Sequence, residues 1–255
     1  MKQRYAIAVG VGLSFAAATS QVPVARQAVG TVANSLPHLA TVARADIPKA
    51  EPPPASKLSH PSRDTVYRAV GHSEGNLTAT GDRTRAYNGH TDPGNHVANI
   101  GAFSYQKYQF PSHQAIARQQ PQCAGVTSPA NLTAECANAI QFVRLQQAWQ
   151  SKVVNAGLES AFADVQQIVN FYDLNTQSPR ASADLGWWLN YHRSQGLEGR
   201  TLIIAARVDS YCTVRQPGCQ ISASGFGHSR SRLTRDQARR VNAINAALTE
   251  IEKGS

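Results

Sequence analysis

The sequence predicts an exported protein whose folded part is mainly α-helical, with a small loop-rich or β region after the first helix, an α+β arrangement. Three observations support this fold class. The first 20 residues have the form of a secretory signal. The stretch 64–106 opens with a helical pattern and continues with many glycine, asparagine, aspartate and threonine residues. After Cys136, apolar residues recur at helical spacing over most of the remaining chain.

Residues 1–20 show the parts of a signal peptide. Lys2 and Arg4 form a basic start, and an apolar run over 6–18 follows it. The run is too short to span a bilayer comfortably, because a spanning helix needs about 20 apolar residues. We therefore expect a secreted, periplasmic or cell-envelope protein cleaved at the end of this segment. Cleavage at the small-x-small sequence 43–45 and an uncleaved anchor are the alternatives.

The rest of the chain divides into a linker and one domain. Residues 21–61 are rich in proline and alanine and include the sequence EPPPAS, which is typical of a flexible spacer. Residues 62–255 are predicted to form the folded domain. At 42% hydrophobic residues overall, the composition is sufficient for an ordinary core.

The chain is basic, with a formal charge of +9. Removal of the predicted signal lowers this charge to +7, because residues 1–20 contain two cations and no acidic residue. The lysines and arginines are dispersed and no nucleic-acid-binding motif is present, so we expect no nucleic-acid partner. Electrostatic contact with an anionic wall or membrane surface is expected instead, and it should weaken as salt rises.

Four cysteines form two local pairs in the sequence. We predict disulfides between Cys123 and Cys136 and between Cys212 and Cys219, as suits an oxidising compartment. Four cysteines allow three pairings, and a zinc site is the rival interpretation. The spacings are wider than the short C-x(2–4)-C of structural zinc sites, which favours disulfides.

The first predicted helix leads into the polar stretch. Ser62 is a suitable N-cap, and Val66, Ala69 and Val70 form an apolar stripe. The same face continues to Ser73 and Glu74, so we expect the Glu74 carboxylate at the edge of the core. Partial burial and the negative end of the helix dipole would both favour a protonated acid there.

Further helices are predicted along the chain. Gly75 has the position of a helix-ending residue after the first helix. The stretch 142–172 predicts either one long helix or two, and Ser182 is a candidate N-cap for the next one. The apolar run 201–211 is interpreted as helix from its context. A capping box beginning at Thr234 predicts the start of the final helix.

Three short motifs resemble a known family. They are Ser73-Glu74-Gly75-Asn76, Tyr87-Asn88-Gly89-His90-Thr91 and Gly101-Ala102-Phe103-Ser104-Tyr105-Gln106. Their order after a helix resembles the catalytic start of the lysozyme superfamily, which includes muramidases, lytic transglycosylases and chitosanases. The resemblance implies a cleft between a small β region and the helices. The phage-type spacing of Glu, Asp and Thr and the transglycosylase Gly-Leu-Met-Gln are both absent, so the subfamily stays open.

The resemblance implies that Glu74 is the general acid of a glycosidase. Asp92 is our candidate for a second carboxylate, with Asp82 as its substitute. Carboxyl groups about 5 Å apart indicate a retaining enzyme and about 6.5–9.5 Å an inverting one. Capping of the turn before Pro93 is the alternative role for Asp92. Tyr87, His90, Tyr105 and Gln106 are the candidate substrate-binding residues.

The expected partner is peptidoglycan or a related amino-sugar glycan, bound by a monomer that needs no cofactor. A metal site and a serine hydrolase site are two further interpretations of these residues. His72, His90 and His96 lie near Glu74 and Asp92 in the sequence, but their spacing matches no peptidase metal motif. No G-x-S-x-G nucleophile turn occurs, which disfavours a serine hydrolase. A non-catalytic wall-binding or metal-binding module on the same fold is the main alternative function.

Overall fold

Helices dominate the computed structural model, which describes residues 60–92 and 96–254. Within these ranges the chain forms eight α-helices and one three-stranded sheet. The prediction of a mainly α fold with a small β region is therefore confirmed. The predicted signal peptide, nearly all of the predicted linker and the turn residues 93–95 lie outside the described part of the chain.

The first helix, α1 (Arg63–Ser73), follows from its capping residues and its apolar stripe. The Ser62 hydroxyl accepts a hydrogen bond from the Thr65 amide at 3.0 Å, as an N-cap does. The predicted stripe is fully buried. The helix ends at Glu74, and Gly75 has a φ of 78°, a left-handed conformation that suits glycine. These four features match the sequence prediction.

The sheet is a small antiparallel meander. Its strands are β1 (His90–Thr91), β2 (Ala98–Ile100) and β3 (Tyr105–Gln106), in that spatial order. In the register, His90 pairs with Asn99 and Ile100 pairs with Tyr105. Three short strands bury little surface on their own, so the sheet depends on the helices packed against it.

The remaining helices pack on α1, on the sheet or on one another. They are α2 (Gln114–Ala117), α3 (Ala134–Trp149), α4 (Val165–Gln177), α5 (Pro179–Ser182), α6 (Leu185–Ser194), α7 (Gly199–Asp209) and α8 (Arg230–Lys253). The stretch predicted as one helix or two is two, since a π-helical turn and a short 3₁₀ turn separate α3 from α4. The interpretation of 201–211 as helix is confirmed by α7.

Two predicted helix starts were wrong. Ser182 is the last residue of α5, and α6 begins after Asp184 instead. The final helix begins after Ser229, and Thr234 lies within its first turns, where its hydroxyl donates to the Arg230 carbonyl at 2.9 Å. A threonine hydroxyl is satisfied either by capping a helix or by bonding to the preceding turn, so the sequence pattern fits both roles.

The apolar residues form two clusters. The larger one joins the helices and contains the fully buried Phe171, Trp188 and Ile244. The smaller one underlies the sheet and contains Tyr105 and Phe110. Side chains of both regions reach the cleft described below, so its shape depends on how the sheet packs against the helices.

Both predicted disulfides are present. Cys123 and Cys136 are bonded with their Cα atoms 4.6 Å apart, and the bond ties the segment before α3 to that helix. Cys212 and Cys219 are bonded with their Cα atoms 5.6 Å apart, and they close a loop after α7. In the described ranges no helix combines the length and the hydropathy that a membrane span requires.

Candidate functional site

A cleft of about 310 Å³ opens between the sheet and the helices. Glu74 enters it from the end of α1, and Asp92 enters it from the end of β1. The lining is strongly polar, with several side-chain amides and two arginines. The lining residues are Glu74, Asp92, Asn99, Phe103, Ser104, Tyr105, Gln106, Gln109, Gln141, Arg144, Asn175, Thr176, Gln177, Pro179 and Arg240.

Glu74 is sheltered and is held by an arginine. Its side chain is 11% exposed, in agreement with the expected place at the edge of the core. Its Oε1 atom lies 2.7 Å from Nη1 of Arg240 in α8. The sequence predicts a sheltered acid at this position but does not indicate the arginine that the structure places beside it. Oε2 makes no hydrogen bond with any described residue, so it is the oxygen available to a ligand in the cleft.

Arg240 belongs to a buried network of charges. Besides Glu74, its guanidinium contacts Asp173 at 3.1 Å and Asp236 at 3.3 Å. Burial disfavours the charged form of Arg240, but the surrounding carboxylates outweigh it and raise the pKa of Arg240. Burial likewise opposes the charge of Asp173, and Arg240 and Arg207 overcome that effect and lower the pKa of Asp173. Arginine and carboxylates thus stay charged behind the cleft.

Arg207 supports the network from the other side. It lies fully buried in α7, and its Nη2 atom is 2.5 Å from Asp173. Its Nε donates to Gln237 at 2.7 Å, and its Nη1 donates to the side-chain oxygen of Asn170 at 2.9 Å. The hydroxyl of Ser73 donates to Asp173 as well. A buried charge is tolerated only when its hydrogen-bonding groups are satisfied, and these contacts meet that need.

The last helix also fixes the end of the first one. Nη1 of Arg239 donates to the backbone carbonyl of Ser73 at 2.9 Å, which satisfies one of the terminal carbonyls of α1. A cation is favourable there, because the C-terminus of a helix carries partial negative charge. Arg239 and Arg240 together hold the residue before Glu74 and the Glu74 carboxylate itself, so the acid has a defined position.

The sheet side of the cleft is held by hydrogen bonds to neutral groups. The Asp92 amide donates to the Val97 carbonyl at 2.9 Å, which places Asp92 directly after β1. Ser104 has a φ of 50°, a left-handed conformation that is uncommon for serine. The amide of the buried Asn76 donates to the Ser104 hydroxyl at 2.8 Å and to the Ala102 carbonyl at 3.1 Å. These bonds join the loop after α1 to the loop before β3.

Tyr105 and His113 form a second sheltered pair beside the cleft. The Tyr105 hydroxyl lies 2.7 Å from Nδ1 of His113. Burial raises the pKa of Tyr105 to about 12. Burial, with the nearby charge of Arg144, lowers the pKa of His113 to about 4. At neutral pH the phenol and the imidazole are therefore both uncharged, and Tyr105 brings a neutral side chain to the cleft wall.

Four of the six residues predicted for catalysis and binding line one cleft: Glu74, Asp92, Tyr105 and Gln106. The structure places the other two elsewhere. Tyr87 lines a separate, open hollow of about 410 Å³, where Arg83 lies 4.4 Å from the centre of its ring. Nδ1 of His90 is hydrogen-bonded to the Ala86 carbonyl at 3.1 Å.

Asp82, the substitute for Asp92, does not line the cleft. Its side chain accepts hydrogen bonds from Thr80 at 2.7 Å and from Thr78 at 3.3 Å. These bonds lower the pKa of Asp82, and they give the carboxylate a local role in the loop after α1. Of the two candidates, Asp92 is the one that shares the cleft with Glu74.

The histidines considered for a metal site are not gathered with the carboxylates. Nδ1 of His72, in the last turn of α1, lies 3.0 Å from the carbonyl of Leu77 in the loop that follows. In residues 60–92 and 96–254, the one group of three or more potential ligands is Asp209 with Cys212 and Cys219. Because those two cysteines are joined in a disulfide, they do not offer thiolates to a metal.

Sequence reasoning missed the cleft residues that come from α3, α4 and α8. They lie 35 or more positions after Gln106 and have no motif of their own: Gln141, Arg144, Asn175, Thr176, Gln177 and Arg240. A usable signal exists for Arg240, since it occupies the apolar face of α8 together with Gln237.

No protein family, curated protein or solved structure matches this chain.

Proposed function

We propose that this chain is an exported glycosidase of the lysozyme-like superfamily that cleaves peptidoglycan or a related amino-sugar glycan. The observation that carries the proposal is the shared cleft of Glu74 and Asp92. A sheltered glutamate at the end of the first helix, with a carboxylate from the following sheet in the same groove, is the arrangement that the sequence resemblance implies. The polar lining also suits a sugar, which presents many hydroxyl groups.

In the proposed reaction Glu74 donates a proton to the glycosidic oxygen as the bond breaks. The carboxylate that remains is the form that Arg240 stabilises, at 2.7 Å. A group that is stabilised as its charge develops contributes to catalysis, because the favourable contact strengthens in the transition state. Oε2 carries the proton in this scheme, since Oε1 is bound to Arg240.

Asp92 provides the second function of a glycosidase. A carboxylate in the same groove either stabilises positive charge on the sugar ring or activates a water molecule. The amide side chains around it, including Gln106, Gln109 and Asn175, offer donors and acceptors to sugar hydroxyl and N-acetyl groups. The positive charge of the chain is expected to hold the enzyme on an anionic wall, which is part of this proposal.

The test compares the wild type with Glu74→Gln on purified peptidoglycan and on N-acetylated chito-oligosaccharides. Glutamine keeps the shape of the side chain and a hydrogen-bond acceptor for Arg240, but it has no acidic proton to transfer to the leaving oxygen. We expect product release to fall roughly 10²- to 10⁴-fold, the usual contribution of a general acid. Glu135→Gln is the matched control, since Glu135 is a half-exposed carboxylate outside the cleft, paired with Arg83. Equal activity of both variants would disprove the proposal.

A non-catalytic glycan-binding module is the second candidate, and the same ion pair favours it. The ion pair with Arg240 at 2.7 Å fixes Glu74 as a hydrogen-bond acceptor at the cleft wall, a role that also suits a residue that only binds a sugar. A binder retains glycan without releasing product, and Glu74→Gln then changes retention little. Mass spectrometry of the digested muropeptides separates the two functions, because only an enzyme produces shortened glycan, and it also identifies hydrolysis or transglycosylation from the product.

A further inference from the structure

Arg144 differs from the other arginines at the centre of the molecule. It lies in α3 and lines the cleft beside Tyr105, and it is half-buried. Arg207 and Arg240 each contact carboxylates at 2.5–3.3 Å. In the part of the chain that the structure describes, Arg144 forms no ion pair with any aspartate or glutamate. Among the described residues, this partly desolvated cation of the cleft therefore has no carboxylate partner.

The hydrogen bonds of Arg144 involve one nitrogen and neutral acceptors. Nη1 donates to the side-chain oxygens of Gln141 at 2.8 Å and Gln109 at 3.2 Å. Nε and Nη2 make no hydrogen bond with a described residue. Neither atom is fully buried, so both can be reached by a ligand. These two nitrogens form the edge of a guanidinium that fits both oxygens of a carboxylate. The two glutamines fix the orientation of the side chain and leave that edge to a ligand.

The electrostatic state of Arg144 agrees with this geometry. Burial lowers the pKa of Arg144, which is the direction for an arginine that is partly desolvated without an acidic neighbour. Its charge is retained, because the guanidinium does not lose its proton at physiological pH. An anion bound at this edge would regain the favourable interactions that the side chain lost when it left water.

We propose that Arg144 binds a carboxylate carried by the glycan, so that the preferred substrate is an acidic polysaccharide. This inference rests on the glycan cleft proposed above and narrows its substrate class. The carboxylate belongs either to the lactyl group of a muramic acid that lacks its peptide or to a uronic acid. A polymer of protonated amino sugars is disfavoured, because its ammonium groups meet the guanidinium as like charges.

The test measures binding of sulfur-linked tetrasaccharides, which glycosidases do not cleave, by titration calorimetry. The first probe alternates N-acetylglucosamine with N-acetylmuramic acid and carries free lactyl carboxylates. The second is the tetramer of N-acetylglucosamine, which has the same length and no charge. The third is a tetramer of a uronic acid. We expect the wild type to bind the first or the third probe more tightly than the neutral one, and the tighter of the two identifies the source of the carboxylate.

Three variants locate the effect. The acidic probe is the one of the two that the wild type binds more tightly. Arg144→Gln should weaken its affinity roughly 10- to 150-fold, the range for hydrogen bonds to a charged group. The affinity for the neutral probe should change less than about 3-fold. Arg144→Lys should fall between, because lysine keeps the charge without the planar fork. Arg235→Gln removes an exposed charge of α8 outside the cleft and should leave both affinities unchanged. Melting temperatures establish that each variant is folded.

Three results would overturn the inference, and they fall into two distinguishable kinds. Equal loss of the acidic and the neutral probe in Arg144→Gln, or equal affinity of the wild type for both, refutes carboxylate recognition and leaves the glycosidase proposal intact. Failure of the wild type to bind any of the three probes refutes the proposed glycan cleft, and the role of Arg144 with it. Selective loss of the acidic probe supports the inference even if no cleavage is found.

Discussion

The two sides of the cleft are built on different physical principles. On the helical side, Glu74 is held by Arg240 and by a network of charges that extends to the fully buried pair of Arg207 and Asp173. On the sheet side, Tyr105 and the neighbouring loops are held by hydrogen bonds between neutral groups. The helical wall therefore couples ligand binding to the stability of the fold. The sheet wall can change its ligand contacts with a smaller loss of stability.

The largest effect is expected from breaking the buried network. Asp173→Asn removes the charge that lies between Arg207 and Arg240, and both guanidiniums stay buried. We expect the free energy of unfolding to fall by about 3–5 kcal/mol. Urea denaturation of the wild type and the variant measures this difference in the free energy of unfolding. Glu135→Gln removes one partner of a half-exposed pair and should cost about 0–1 kcal/mol. Similar losses in the two variants would show that burial of the network has no special weight.

A medium effect is expected where the sheet meets α3. Gly101 has a φ of 81°, and a Cβ atom there would lie 2.5 Å from Oδ1 of Asn138, the oxygen that accepts from the Ala102 amide. Gly101→Ala should therefore reduce the free energy of unfolding by about 1–3 kcal/mol. Gly157→Ala shares the positive φ without the close contact, and Gly225→Ala has neither. Thermal denaturation should rank the three in that order, and a loss at Gly225 as large as at Gly101 would contradict the explanation.

The effect that is smallest at neutral pH concerns the uncharged pair on the sheet side. The pKa of His113 is about 4 in the folded chain, against 6.5 for an unperturbed histidine. As pH falls from 6.5 to 4, the unfolded chain binds a proton that the folded chain does not, so stability is lost over that window. His113→Gln removes this titration. In this variant the free energy of unfolding should change less between pH 6.5 and pH 4 than in the wild type. An unchanged slope would refute the contribution of His113.

The sequence predicts those cleft residues that lie close together in the chain. Glu74 was predicted because the stripe of α1 has a helical period and Gly75 marks its end, both of which are local features. Asp92, Tyr105 and Gln106 were found because they follow within the same polar stretch. The disulfides were predicted for a similar reason, since each joins cysteines that are near one another in the chain.

The ion pairs that hold the site depend on contacts between distant parts of the chain. Asp173 and Arg207 are separated by 34 positions, and Glu74 and Arg240 by 166. Asp173, Arg207 and Arg240 are buried in their helices, so a periodicity argument marks each helix but does not say which buried polar groups meet. Pairing among several buried charges is decided by tertiary packing, and a single sequence contains no direct record of it.

Arg240 follows the carboxylate that it holds by 166 positions in the chain. A polypeptide that is synthesised from its N-terminus therefore presents Glu74 before this partner has emerged. The acid acquires its fixed place only when α8 docks on α1. A chain that stops before α8 has Glu74 but lacks Arg239 and Arg240, which orient it.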